Sequence, residues 1–132
     1  MGAWGYQSFE NDSALDWVYQ LARADNRSVL TSAFAAPFTT DDYIDVDESS
    51  AAIAAAEVVA ALKGHPHPTL PDAVSTWVQA HPLAVDRDLQ EQAIQAIIRV
   101  EQDSELQELW AGSDDYEQWK GSLQNLRSRL EA

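Results

Sequence analysis

Residues 50–64 read SAAIAAAEVVAALKG, and the fold turns on them. Ala51, Ala52, Ile53, Ala54, Ala55 and Ala56, then Val58 to Leu62, make a helix apolar nearly all round. Such a helix belongs inside a protein, not on its surface. Its small residues let neighbouring helices approach closely. It is too short to span a bilayer, and Glu57 puts a charge in its middle. Asp47 or Ser49 is read as its N-cap, and Gly64 as the residue just past its end. The stretch therefore predicts a central helix with others packed about it.

Working outward, the helical period dominates. Residues 11–23, NDSALDWVYQLAR, place Ala14, Trp17, Val18 and Leu21 on one face, with Asn11 as N-cap. Asp25 is expected to cap a second helix with the stripe Leu30, Ala33 and Phe34, ended by Pro37. Residues 39–50, TTDDYIDVDESS, read as an acidic loop with a short extended piece at most. HPHPTLP (65–71) must be a connector, given its three prolines. Val74, Trp77, Val78 and His81 form a stripe stopped by Pro82. Val85, Leu89, Ala93, Ala96, Ile97 and Val100 form a longer one. SELQ (104–107) is a capping-box pattern that breaks and restarts the chain. A last helix, starting near Ser113 or Asp114, carries Tyr116, Trp119, Leu123, Leu126 and Leu130. No hairpin signal stands out. The expectation is an all-α, compact single-domain bundle of about six helices over residues 1–132. Trp4, Tyr6 and Phe9 predict an N-terminal strap packed into it, with Trp4 and Phe9 largely buried.

Composition narrows the function. The chain has 132 residues, with 8 Lys+Arg against 22 Asp+Glu and a formal net charge of −14. That surface repels phosphate backbones, so nucleic acid is not an expected partner; a basic protein is. There is no cysteine, which removes disulfides and thiolate chemistry and fits a cytoplasmic protein. No signal peptide or membrane span is read. Gly2 does not make a myristoylation site, because Tyr6 stands where Ser or Thr is required.

The opening MGAWG, followed by FEND and ALDW, resembles the N-terminal signature of the bacterial domain of unknown function 4259 family. AIAAAEVVAAL, the LP…W pattern and DSELQELW are similar to that family's later stretches, in the same order. The resemblance implies one small bacterial domain filling the chain. It supplies no catalytic residues, and none are carried over.

Three groups of residues invite chemistry. Glu57, alone in an apolar helix, must be paired, hydrogen-bonded or protonated. Arg99, the Trp4 indole and backbone amides of the strap are the expected donors. The rival reading makes Glu57 an acid or base in an aromatic-lined pocket of an enzyme or small-ligand protein, but no second catalytic group lies at a telling spacing. His65, His67 and His81 lack the spacing of a zinc site. Asp41, Asp42, Asp45, Asp47 and Glu48 do not fit a calcium loop. Counted from Asp45, Ser50 replaces the required Gly and Ala56 the bidentate Glu. No catalytic residue, metal or cofactor is expected. These five acids are instead read as a docking patch for a basic protein, as in an immunity protein or antitoxin.

Overall fold

The computed structural model describes residues 5–24, 26–39, 44–82 and 84–132, without the side chains of residues 37–39. Its described residues form an all-α structure of seven helices. In chain order these are α1 (Asp12–Ala22), α2 (Ser28–Thr39), α3 (Val46–Leu62), α4 (Asp72–Ala80), α5 (Arg87–Gln102), α6 (Glu105–Ala111) and α7 (Tyr116–Glu131). No helix among them is long and apolar enough to cross a membrane.

As its composition predicts, α3 is the centre. It packs against all six other helices, and residues 52–60 are buried without interruption. Fully burying a side chain such as Val58 or Val59 contributes about 1.5–3 kcal/mol. The helix ends where expected. Gly64 takes φ +90, donates to the Ala61 carbonyl, and His65 donates to that of Ala60. Together these bonds form the Schellman pattern, which requires the left-handed backbone that glycine adopts without strain.

The start of α3 differs from the sequence reading. Its N-cap is Asp45, whose Oδ1 accepts the Glu48 N–H at 2.8 Å. Asp47 and Glu48 therefore belong to the first helical turn and not to a loop. Two contacts with α6 hold this end in place. Glu105 Oε1 accepts the Val46 N–H at 3.0 Å, and the Glu105 N–H donates to the Ile44 carbonyl at 2.9 Å. Nor does Pro37 end α2, which continues to Thr39. So near a C-terminus, proline only leaves the carbonyl four residues earlier without its N–H. The expected cap Asp25 lies outside the described residues; Asn26 Oδ1 accepts the Ser28 N–H at 2.9 Å.

The amphipathic helices follow their stripes. Ala14, Trp17, Val18 and Leu21 of α1 are buried, as are Trp119, Leu123, Leu126 and Leu130 of α7. Asn11, Asp86 and Ser104 cap α1, α5 and α6 through their side chains. The α4 Trp77 indole donates to the Ala24 carbonyl past the end of α1, at 3.1 Å. Ahead of α1, Tyr6 and Phe9 pack partly buried against the core, while Ser8 is buried. Phe9 is thus less covered than its size predicts. Trp4 lies outside the described residues.

Candidate functional site

An acid in the centre of a bundle needs a cation, and α7 supplies it. Its apolar stripe points Leu126 and Leu130 inward, which sets Arg129 at the flank of that face. Glu57, 1% exposed, receives Arg129 Nη1 on Oε1 at 2.8 Å and Nη2 on Oε2 at 3.1 Å. Ser8 Oγ donates to Oε2 at 2.7 Å. The guanidinium is itself held in place. Its Nε donates to Asn125 Oδ1 at 2.8 Å, and Nη1 also donates to the His65 carbonyl at 3.2 Å. The carboxylate and its guanidinium thus join the N-terminal segment, α3, the turn after α3 and α7.

This network corrects the expected partners. Arg99 lies 3.8 Å from Asp103, the residue that ends its own helix. The strap contributes a hydroxyl in place of backbone amides. Both Glu57 oxygens are committed to fixed donors, so the carboxylate acts as a clamp, and an acid–base role would require breaking a bidentate pair. A cleft of about 280 Å³ beside it is lined by Glu57, Ser8, Phe9 and His67. His67 faces the clamp without joining it; its Nδ1 accepts the Thr69 N–H at 3.1 Å. Its neighbour His65 is exposed, and the His81 ring stacks on Trp77 at 4.5 Å. Among the described residues no group of three or more His, Asp or Glu is placed to hold a metal ion.

The acidic candidates separate. Asp41 and Asp42 lie outside the described residues. Asp45 is the α3 cap. Asp47 Oδ1 accepts the α1 Ser13 hydroxyl at 2.6 Å. Glu48 stands beside a groove of about 450 Å³ between α1, α2 and α3, lined by Trp17, Val29, Ala33, Ala51, Asp47 and Glu48. Burial first, and the neighbouring Asp45 charge second, push the Glu48 carboxyl above its ordinary 4.5. None of the ion pairs among the described residues involves Asp45, Asp47 or Glu48. Four of the eight Lys and Arg side chains are engaged elsewhere: Arg27 with Asp86, Arg127 with Glu101, Arg129 with Glu57, and Lys63 with the Leu130 carbonyl. Helices α1, α2 and α3 contain no Lys or Arg at all.

Sequence reasoning missed Ser8 and Arg129. A signal for Arg129 existed: it is the base next to Leu130 on the last stripe, three residues after Leu126. Ser8 carried none.

A family model described as "Domain of unknown function (DUF4259)" matches residues 2–122. No curated protein and no solved structure matches the chain. The chain belongs to the DUF4259 family.

Proposed function

For this member of a family whose description names no activity, we propose a binding role: the acidic groove between α1, α2 and α3 takes a basic segment of another protein. The observation that carries the reading is the pairing of an apolar floor, Trp17, Val29 and Ala33, with Asp47 and Glu48, which no internal cation neutralises. A Lys or Arg entering the groove would relieve the repulsion between Glu48 and Asp45 while its alkyl stem covered the floor. Asp41 and Asp42, adjacent in sequence, would extend the field that steers a basic partner. The net charge of −14 gives such a partner a long-range attraction in the cytoplasm of a bacterium, in the manner of an immunity protein or antitoxin.

The test compares the wild-type protein with a variant carrying Asp41→Asn, Asp42→Asn, Asp47→Asn and Glu48→Gln. Asp45 is left alone because it caps α3. A basic partner is captured from a bacterial extract on the wild-type protein, and its association is then timed. The variant should associate more slowly at low salt, with a flatter salt dependence and a smaller change in dissociation. An unchanged association rate at low salt refutes the reading.

A further inference from the structure

A second cavity lies on the opposite side of the N-terminal half of α3. Val46, Ser50 and Ile53 recur at i, i+4 and i+7, so they share one face. That face, the start of α1, α6, α7 and the segment Gly5–Ser8 border a partly open space of about 120 Å³. The volume is close to that of an engineered cavity, about 150 Å³, that binds benzene. Trp110, Trp119, Leu106, Leu123 and Ile53 supply an aromatic and aliphatic wall.

Three polar side chains of the wall are engaged. Ser8 donates to Glu57 and Ser13 to Asp47. Asn11 accepts from the Ala14 N–H and donates to the Ser8 carbonyl. Ser50 differs from these in being both buried and without a partner. It is 1% exposed, and its Oγ is a buried side-chain atom without a hydrogen-bond partner among the described residues. A serine inside a helix commonly turns its hydroxyl onto the carbonyl four residues back. This one instead remains free in a cavity wall.

We infer that this cavity is a binding site for a small uncharged molecule with an aromatic body and one hydroxyl, with Ser50 as its hydrogen-bond partner. Size sets the body at about one six-membered ring. The indoles of Trp110 and Trp119 in the wall favour an aromatic over a chain. Charge excludes an anion, because no Lys or Arg lines the cavity and Asp12 does. The Ser8–Glu57 bond holds the segment Gly5–Ser8 in place as one wall, so the buried clamp also shapes the site. The inference is independent of the basic-partner reading, since Asp47, Glu48 and Ala51 lie on the other face of α3.

Phenol is the probe, with benzene and benzoate as controls, followed by calorimetry and by the nuclear magnetic resonance spectrum of the full chain. Phenol should bind saturably with Kd on the order of 10⁻⁴–10⁻³ M, benzene more weakly and benzoate not at all. Ser50→Ala should weaken phenol about five- to tenfold, the worth of one hydrogen bond, and leave benzene unchanged. It should also be at least as stable as wild type without ligand, because it removes an unpartnered buried hydroxyl. Ile53→Trp, which fills the space, should abolish binding of both. Failure of phenol to saturate the wild-type protein by about 10 mM, well above that Kd range, overturns the inference. So does a Ser50→Ala variant that binds phenol as tightly as wild type. A Ser50→Ala variant less stable than wild type overturns it as well, by assigning the hydroxyl to a fixed water.

Discussion

Replacing Arg129 with methionine tests the clamp at its most exposed member. The change keeps an unbranched side chain and removes the charge. Glu57 then loses two charge-assisted hydrogen bonds, at 2.8 and 3.1 Å, and keeps only the Ser8 hydroxyl at 2.7 Å. Stranding one member of a buried pair costs about 3–5 kcal/mol. The Arg129 side chain is 15% exposed, so water reaches its side of the pair, and the lower half of that range, about 3–4 kcal/mol, is expected. That is a large share of the roughly 5–15 kcal/mol that holds a domain together. At roughly 4 °C per kcal/mol it lowers Tm by about 12–16 °C. Urea unfolding followed by the fluorescence of the five tryptophans measures it. The decisive control is the double variant Glu57→Leu with Arg129→Met. An apolar pair of similar volume replaces a buried ion pair at little net cost, and only Ser8 then loses an acceptor, so the double variant should lie within about 1–2 kcal/mol of wild type. Two results refute the clamp: an Arg129→Met cost below about 1 kcal/mol, or a double variant as unstable as the sum of the single ones.

Other expectations follow from local geometry. Glu48 holds its proton more tightly in the folded protein than in the unfolded chain, first because of burial and then because of Asp45. Its contribution favours folding below about pH 4.5 and is lost as pH rises through the folded value, so Glu48→Gln should exceed wild type in stability at pH 7 and converge with it at low pH. Asp86 behaves oppositely: Arg27 first, and the Leu89 N–H second, hold its carboxyl below 3.8, so its contribution is lost as pH falls through the folded value. Arg27→Gln should therefore flatten the loss of stability in acid below pH 3.8, read by urea midpoints across that range. Ser104→Ala should cost about 1–2 kcal/mol in the same assay, because this buried hydroxyl accepts from Gln107 at 3.1 Å and donates to the Val100 carbonyl at 2.7 Å between α5 and α6.

What was legible in the sequence was local. The stripes of α1, α4, α5 and α7 are periods of a few residues, and the Asn11, Ser104 and Gly64 caps act within one turn. These are found where the pattern places them, except that His81 lies just past α4 and Val85 ahead of α5. The errors came where two local signals competed. Asp45, Asp47 and Ser49 are each acceptable N-caps, and the choice of Asp45 is reinforced from α6 by Glu105, which accepts the N–H of Val46. Nothing within residues 39–50 encodes that contact. Pro37 marks the end of a helix in an isolated segment, but its penalty is small when only the last turn follows it.

The centre of the molecule shows the limit more sharply. That Glu57 is buried followed from its neighbours alone, because no face of α3 remains for water. Which cation meets it did not, since Arg129 is 72 positions away and the pairing depends on how α7 lies across α3. Yet the choice was not open to every base in the chain. A guanidinium can enter a core only from the edge of an apolar stripe, where its stem is covered and its head turns inward. Arg129, beside Leu126 and Leu130, meets that condition; Arg99, beside Ala96 and Val100, meets it too but lies against Asp103 just past the end of α5. The same reasoning explains why the strap is ordered through Ser8. A carboxylate with two oxygens accepts more than one guanidinium provides, and the third donor must be small enough to reach a 1% exposed group. A hydroxyl on the N-terminal segment does so, and in doing so fixes the wall of the cavity that Ser50 faces.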